Sequence, residues 1–211
     1  MKNSKKLIAL VLAMVMIFAL TASALAATND TQTITVNVNF SKRSSSGLIG
    51  LASREVTVTY QTGETPTIYD AVCAAFNDGT EPGVASPTWK TVPIVDANGN
   101  ETGETGKALV ALNHITKTGS NAYGDILKVE ALNGTGTTTK TPTSKTPENG
   151  KTKTTYNCTY NGSDWLYEVY QYGYVKVDIT DYMDRMPLQA GYSIGVIYQT
   201  SSETWTESVT K

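Results

Sequence analysis

Alternating hydrophobic and polar residues predict two strands in the first third of the chain. From Thr33 to Phe40 every second residue is hydrophobic, which is the pattern of a strand with one buried face. The same alternation runs from Glu55 to Tyr60. Because the stretch from Ser41 to Ser46 between them is polar and Ser-rich, we expect a hairpin with a long connection.

A short amphipathic helix is predicted after this hairpin. Residues 63–66, Gly-Glu-Thr-Pro, end the extended segment, and Thr67 is a suitable N-cap. Hydrophobic residues then follow at helical spacing from Ile68 to Phe76, and Asp70 in the first turn is favoured by the exposed amides there. Residues 77–79, Asn-Asp-Gly, tolerate positive φ and are expected to end the helix.

The middle of the chain is less periodic but carries clear turn signals. Residues 92–95 are extended in pattern and lead into Asn98-Gly99, which suits a tight hairpin turn. Residues 118–124 predict another turn, and residues 126–129 a short strand.

A threonine-rich segment follows, from Thr135 to Thr155. Its 21 residues include ten Thr and four Lys and no aliphatic or aromatic side chain. Such a segment buries too little apolar surface to offset the entropy of ordering. We expect a mobile loop or a long solvated hairpin, with an interdomain linker as the alternative.

The last quarter of the chain is aromatic and strand-like. Nine of the twelve tyrosines lie between Tyr156 and Tyr198. Residues 165–170, 174–179 and 192–198 alternate as strands do, and we expect Trp165 and Tyr167 to pack against the helix. The order of elements predicts an α+β fold, in which one helix packs on a mixed sheet and residues 84–155 form a large β-rich insertion.

The beginning of the chain predicts export. Residues 1–26 have a lysine-rich start, an apolar run from Leu7 to Leu20 and a small-x-small site at residues 24–26, as signal peptides do. Cleavage near Ala26 would release residues 27–211 as a single secreted, extracellular domain. No further apolar segment is long enough to span a membrane, so no membrane insertion is expected.

Charge excludes some partners for this product. Removal of the leader leaves 185 residues with 14 basic and 19 acidic side chains, a net charge of −5. Nucleic acid is therefore not expected as a partner, since phosphate would be repelled rather than attracted.

The only two cysteines are Cys73 and Cys158. Export to an oxidising compartment makes a disulfide between them one prediction. The other is a pair of separate thiols that act as small apolar side chains.

Three segments of the chain match the motifs of a known family. Residues 63–72 contain a "T-hydrophobic-x-D-A-hydrophobic" helix start at Thr67, residues 164–169 are similar to a "G-W-x-Y-x-V" strand, and residues 181–194 are similar to a turn into a last strand. In these segments the chain resembles secreted bacterial β-grasp proteins similar to the C-terminal domain of transcobalamin. The resemblance implies a β-grasp fold and makes a corrinoid such as cobalamin the first cofactor-like ligand to test.

The sequence departs from that family in ways that bear on the ligand. Residues 169–173 replace the family's "V-N-G" turn, and Gly191-Tyr192 replaces its "G-D". The chain also has no segment that would form the helical domain with which transcobalamin completes its ligand site. The fold is therefore implied more firmly than cobalamin.

Tyrosines near the end of the chain are the candidate ligand-binding residues. Tyr170, Tyr172 and Tyr174 recur at every second position around Gly173, so they share one face if the chain stays extended, and Tyr192 is grouped with them. Tyrosine offers a large contact area with a polar tip, which suits flat ligands and protein partners. The alternative is that these rings simply cover a half-solvated sheet.

The sequence offers little support for a catalytic site or a metal site. His114 is the only histidine and lies in no catalytic motif. Residues 96–104 place oxygen side chains as a calcium loop does, but Lys107 stands where the bidentate Glu is needed. Acidic residues at 178, 181 and 184 are expected to be solvated or capping. We therefore expect no catalytic residue, no metal and no enzyme.

A secreted ligand-binding module at or outside the cell surface is the leading functional prediction. The alternative is a structural or adhesion protein of the bacterial surface that uses its Thr-rich segment to hold a protein or cell-wall partner.

Overall fold

A computed structural model describes residues 30–96 and 101–210. The predicted signal peptide and the Asn98-Gly99 turn lie outside these ranges. The described residues divide into two units, a smaller one that contains residues 30–32 and 60–64 and a larger one. Within the described part of the smaller unit, the Tyr60 hydroxyl donates to the Gln32 carboxamide at 2.9 Å. All other described residues belong to the larger unit.

The described residues form one helix, α1 (Ile68–Ala74), and nine strands. The strands are β1 (Thr31–Ser44), β2 (Gly47–Gln61), β3 (Gly83–Val95), β4 (Glu101–Asn121), β5 (Gly124–Asn133), β6 (Thr135–Glu148), β7 (Lys151–Gln171), β8 (Val175–Val177) and β9 (Tyr192–Thr210). The predicted α+β class is confirmed at this level, as a mixed sheet fold that is mostly β with one short helix.

The strands form two sheets. The six-stranded sheet has the order β2-β1-β9-β7-β6, and β8 also pairs with β7. In its centre β1 runs parallel to β9, with Phe40 opposite Val196, while β7 is antiparallel to β9. The three-stranded sheet is the antiparallel array β3-β4-β5.

The predicted first hairpin is present, but the prediction of a long connection between its strands is wrong. Strand β1 continues through Ser44, and only residues 45–46 separate it from β2. The strand extends because Ser41 and Lys42 pair with Ile197 and Tyr198 of β9. This long-range pairing overrides the polar character of the Ser-rich stretch.

The Thr-rich segment is a long solvated hairpin, one of the alternatives considered for it. Its strands β6 and β7 meet at a turn over residues 149–150, and every residue of β6 is exposed. Together with the end of β9 they form a three-stranded outer ribbon, made of residues 135–148, 151–163 and 200–210. Cross-strand backbone hydrogen bonds and β-branched threonines maintain this ribbon in place of a hydrophobic core.

One hydrophobic core joins α1 to both sheets. Phe40 of β1, Ile68 of α1 and Ile194 of β9 are fully buried in it, together with Leu112 of β4 and Leu132 of β5. Trp165 and Tyr167 of β7 are half-buried against this core.

The helix is short, and its start is fixed by contacts on both sides. The Asp70 carboxylate accepts hydrogen bonds from the backbone N–H and hydroxyl of Thr67, at 2.8 and 2.9 Å. The backbone amides of Ile68 and Tyr69 donate to carbonyls of the 183–186 segment at 3.0 Å. Thr67 is the N-cap, as predicted, and these bonds satisfy amides that a helix start otherwise leaves unpaired.

Among residues 30–96 and 101–210, no helix has the length and apolar character needed to cross a membrane.

Candidate functional site

A cleft of about 500 Å³ opens between the three-stranded sheet and β7. It is lined by residues 94–95 of β3, 107–109 of β4, 165–167 of β7 and the connecting segment 179–183. We call it the interlayer cleft. Its volume lies within the usual range for sites that take small molecules.

Two contacts hold the segment between β8 and β9 against β4, and a third lies within the segment. The Asp184 carboxylate accepts a hydrogen bond from the backbone N–H of Lys107 at 2.7 Å. Arg185 bridges Asp181, at 2.8 Å, and Glu104 of β4, at 2.6 Å. These contacts hold one wall of the interlayer cleft in place.

Tyr182 forms part of that wall because β4 has a glycine beneath it. A Cβ atom added at Gly106 would overlap two carbon atoms of the Tyr182 ring. The ring therefore lies directly on the strand backbone, in a place that the side chain of any larger residue would occupy.

Two aromatic residues of β7 form the opposite wall. The Trp165 indole N–H donates to the Leu132 carbonyl at 3.2 Å, and its ring packs on Tyr198 with centroids 5.1 Å apart. The Tyr167 hydroxyl donates to the Asp181 carbonyl, and burial raises the pKa of this tyrosine above its ordinary range. With their polar atoms satisfied, both residues offer the cleft mainly apolar surface.

Polar groups at this cleft are few. Lys107, Thr180 and Asp181 belong to its lining, and Asp181 is already paired with Arg185. Burial alone would raise the pKa of the Asp181 carboxyl, but the hydrogen bonds from Arg185 and from the Tyr182 backbone together lower it. The cleft therefore has mainly apolar walls and a polar margin. It does not bring together a nucleophile, a base and an orienting group.

His114 lies in a different surface pocket, beside Arg54 and Lys117. Its side chain is 14% exposed, and its Nδ1 is 3.9 Å from the Glu130 carboxylate. Glu130 also accepts a hydrogen bond from Lys42 at 2.7 Å, and this bond lowers the pKa of the Glu130 carboxyl. The histidine therefore lies beside a cluster of charged side chains at the surface.

The candidate tyrosines do not form an extended row, because the chain turns between β7 and β8. Tyr172 and Gly173 have φ values of 52° and 78°, which end the strand alternation. Tyr170 donates a hydrogen bond to Glu168 at 2.9 Å, and the side chain of Tyr174 is 77% exposed. The prediction of one shared tyrosine face was conditional on an extended chain, and that condition is not met.

Two of these tyrosines nevertheless meet at one place. Tyr172, 67% exposed, and Tyr192, only 6% exposed, both line a groove of about 350 Å³ on the outer face of the six-stranded sheet. Two of the four tyrosines predicted to bind a ligand thus line one concave surface. Its other lining residues include several from β1 and β2.

The two cysteines are both free thiols and lie in different surroundings. Cys73 of α1 is half-buried beside Tyr69, and burial raises the pKa of its thiol. Cys158 of the outer ribbon is buried under neighbouring side chains, and its Sγ lies 3.7 Å from the Glu207 carboxylate. The structure thus has the thiol form, one of the two alternatives for this pair.

Sequence reasoning did not identify Tyr182 as a wall of the interlayer cleft. The signal available was its position in an acidic turn, where the acids were expected to cap or be solvated. Asp181 does accept a hydrogen bond from the backbone N–H of Tyr182 at 2.9 Å. The contact with Gly106 depends on a pairing between distant parts of the chain and has no local signature.

Within the described ranges, no group of three or more His, Cys, Asp and Glu side chains is placed to hold a metal ion. Comparison of the chain with protein-family models, curated proteins and solved structures gives no match.

Proposed function

We propose that the protein is a secreted, non-enzymatic ligand-binding module built on a β-grasp sheet. It takes a flat, largely apolar small molecule into the interlayer cleft. The observation that carries this proposal is the cleft itself, a concave apolar surface walled by Trp165, Tyr167 and Tyr182.

The order of strands supports the β-grasp part of the proposal. An initial hairpin, β1 and β2, is followed by α1, and β1 then pairs in parallel with the last strand, β9. Strand β7 adds on the far side of β9, and β8 pairs with β7. On this interpretation β3 to β6 are additions to the core of the fold. Two of the segments that resemble the transcobalamin domain lie at the start of α1 and in β7.

The size and polarity of the cleft support a flat ligand. Aromatic walls favour stacked or edge contacts with a planar molecule, and burial of its apolar surface contributes about 25 cal/mol per Å². A corrinoid is much larger than a single planar ring system and would fill more than this cleft. Cobalamin therefore serves as a second probe.

Fluorescence titration of residues 27–211 with 8-anilinonaphthalene-1-sulfonate tests the site. We expect saturable binding that a Tyr182→Ala variant weakens about tenfold, because one wall is lost. Tyr123→Ala is the matched control, since Tyr123 is 99% exposed and lies in the β4–β5 turn.

Three results decide the proposal. Loss of binding in Tyr182→Ala but not in Tyr123→Ala supports the cleft. Saturable binding of cyanocobalamin with the same dependence on Tyr182 also supports the cleft as the site, and would show that the natural ligand extends beyond it. Equal titration curves for the two variants, or no binding of either probe, would overturn it.

The outer ribbon favours a second function, adhesion. Its strand β6 is exposed along its whole length, so cross-strand hydrogen bonds and threonine side chains face solvent rather than a core. We propose that this ribbon contacts a surface partner.

A shortened ribbon tests the adhesion proposal. Thr139 lies opposite Thr159, and Thr159 lies opposite Thr204. Replacing residues 140–158 by Asn-Gly and ending the chain after Thr204 therefore keeps the register of all three strands. Purified cell walls should retain the full chain and release the shortened one. Equal retention of both would contradict adhesion through the ribbon.

A further inference from the structure

We infer that the groove beside Tyr172 is a second site, which binds a neutral or amino-bearing sugar unit. The groove is lined by Thr35 and Asn37 of β1, Glu55 of β2, Tyr172, Gly191 and Ser193. We call it the Tyr172 groove. It shares no lining residue with the interlayer cleft and is independent of the function proposed for that cleft.

The backbone of Tyr172 is held in a conformation that tyrosine disfavours. Its φ of 52° lies in the left-handed region, which Gly and Asn adopt most readily. In other residues the Cβ atom crowds the following carbonyl oxygen there. A glycine at this position would relieve that crowding. Because Tyr172 is 67% exposed, burial of its ring offsets only part of the cost of this backbone conformation.

The Tyr172 ring is placed by a neighbouring glycine. A Cβ atom at Gly191 would lie 3.1 Å from one of the ring carbons, so the ring rests close to the backbone there. The backbone N–H of Tyr172 also donates to the Gly191 carbonyl at 2.9 Å. The ring is therefore fixed at the margin of the groove with much of its surface open to solvent.

Most polar side chains around the groove hydrogen-bond to one another. Asn39 donates to Ser193 at 3.2 Å and accepts from Ser53 at 2.7 Å. The hydroxyls of Thr35 and Thr57 are 2.9 Å apart. These pairs rigidify the floor of the sheet on both sides of the groove.

Glu55 and Asn37 differ from this group. Within the described parts of the chain, neither side chain has a hydrogen bond or ion pair, although both line the concave surface. The groove thus combines a free carboxylate, a free carboxamide and an open aromatic ring.

This combination suits a hydroxyl-rich ring with one apolar face. A tyrosine ring can stack on the C–H face of a pyranose, while a carboxylate accepts from two hydroxyls and a carboxamide both donates and accepts. The negative charge of Glu55 would repel a uronic acid and tolerate a neutral or amino sugar. The exposed ring of Tyr174, two positions along the turn, offers a contact for a neighbouring sugar unit.

A protein partner fits the groove less well. Stable protein interfaces bury about 800 Å² on each side around an apolar centre, whereas this groove is small and mostly polar. A single sugar unit, or the end of an oligosaccharide, is the occupant that its size and chemistry favour.

Saturation-transfer NMR and calorimetry on residues 27–211 test the inference. The probes are methyl β-glucoside, methyl β-N-acetylglucosaminide, glucosamine and glucuronate. We expect at least one neutral or amino sugar to bind with a dissociation constant in the millimolar range. Glucuronate should bind at least several-fold more weakly.

Three variants test whether the sugar binds in the Tyr172 groove. Tyr172→Gly should weaken sugar binding about tenfold while leaving the protein folded. Glu55→Gln should bring the dissociation constant of glucuronate closer to that of methyl β-glucoside. Tyr182→Ala should bind sugar as the wild type does. This variant keeps the test of the Tyr172 groove separate from the test of ligand binding in the interlayer cleft. Absence of binding by all neutral and amino sugars at 50 mM, or equal binding by Tyr172→Gly, would overturn the inference.

Discussion

The ring of Tyr182 lies directly against Gly106, so close that an added Cβ would overlap it. A residue of the segment that connects β8 to β9 thereby rests on the backbone of β4, and the interlayer cleft owes one wall to this contact.

Gly106→Ala is therefore expected to displace Tyr182. Overpacking of this kind lowers the free energy of unfolding by about 1–3 kcal/mol. The same change should weaken binding of 8-anilinonaphthalene-1-sulfonate. Urea denaturation provides the measurement, and Gly50→Ala is the control, because nothing lies within 4 Å of a Cβ at Gly50. Equal stability of the two variants would contradict the assigned contact.

The pair Glu168–Lys176 predicts a dependence of stability on acid. The Lys176 ammonium donates to Glu168 at 3.0 Å, and this hydrogen bond lowers the pKa of the Glu168 carboxyl below its ordinary 4.5. The pair therefore stabilises the fold above about pH 4.5, and the contribution is lost as pH falls through the lowered pKa.

We expect Lys176→Gln to lower the urea midpoint at pH 7 by a small amount, because the lysine is largely exposed. At pH 3 the midpoint should fall by less. Urea midpoints at the two pH values provide the measurement. Lys90→Gln, at an exposed site in β3, is the control. The same loss at pH 3 as at pH 7 would rule out the ion pair as its source.

Tyr160 predicts a second pH effect, at alkaline pH. Its hydroxyl donates to Asp164 at 2.5 Å, and this bond raises the pKa of Tyr160 to about 12. The contribution of the bond to stability is complete below pH 10 and is lost as pH rises through the raised pKa.

Carbon-13 NMR of the tyrosine Cζ atoms would measure this pKa, with Tyr160→Phe to assign the signal. We expect Asp164→Asn to bring the pKa of Tyr160 down toward its ordinary value of 10.0. An unchanged titration in Asp164→Asn would show that another group causes the shift.

The free thiols make a prediction for alkylation. Burial raises the pKa of both Cys73 and Cys158, so iodoacetamide should react slowly with the native protein at pH 7 and faster as pH rises. After denaturation without reductant, mass spectrometry should detect two added groups on residues 27–211. Alkylation that requires a reductant would instead establish the disulfide.

Local pattern predicted the elements that bury one face. The alternation around Phe40 and the spacing around Ile68 are read correctly from the sequence because burial of each side chain repeats with the period of its element. The extension of β1 through Ser44 was missed, since it depends on the pairing of Ser41 and Lys42 with β9.

The candidate sites illustrate the same limit. The regular spacing of the tyrosines around Gly173 was visible in the sequence, but the positive φ of Tyr172 and Gly173, which ends the extended chain there, was not. The meeting of Tyr172 with Glu55, and that of Tyr182 with Gly106, joins residues that lie far apart in sequence. Such contacts arise from topology rather than from local propensity.

The parallel pairing of β1 with β9 also governs how the chain reaches its fold. Phe40 meets Val196 only after nearly all of the described chain has been synthesised, and the centre of the six-stranded sheet is incomplete until then. Closing so long a loop is entropically costly, and proteins dominated by such distant pairings fold on the slower, millisecond-to-second scale. A chain that ends before Tyr192 would leave the hydrophobic faces of β1 and β7 without the strand that joins them, and would be exposed to aggregation.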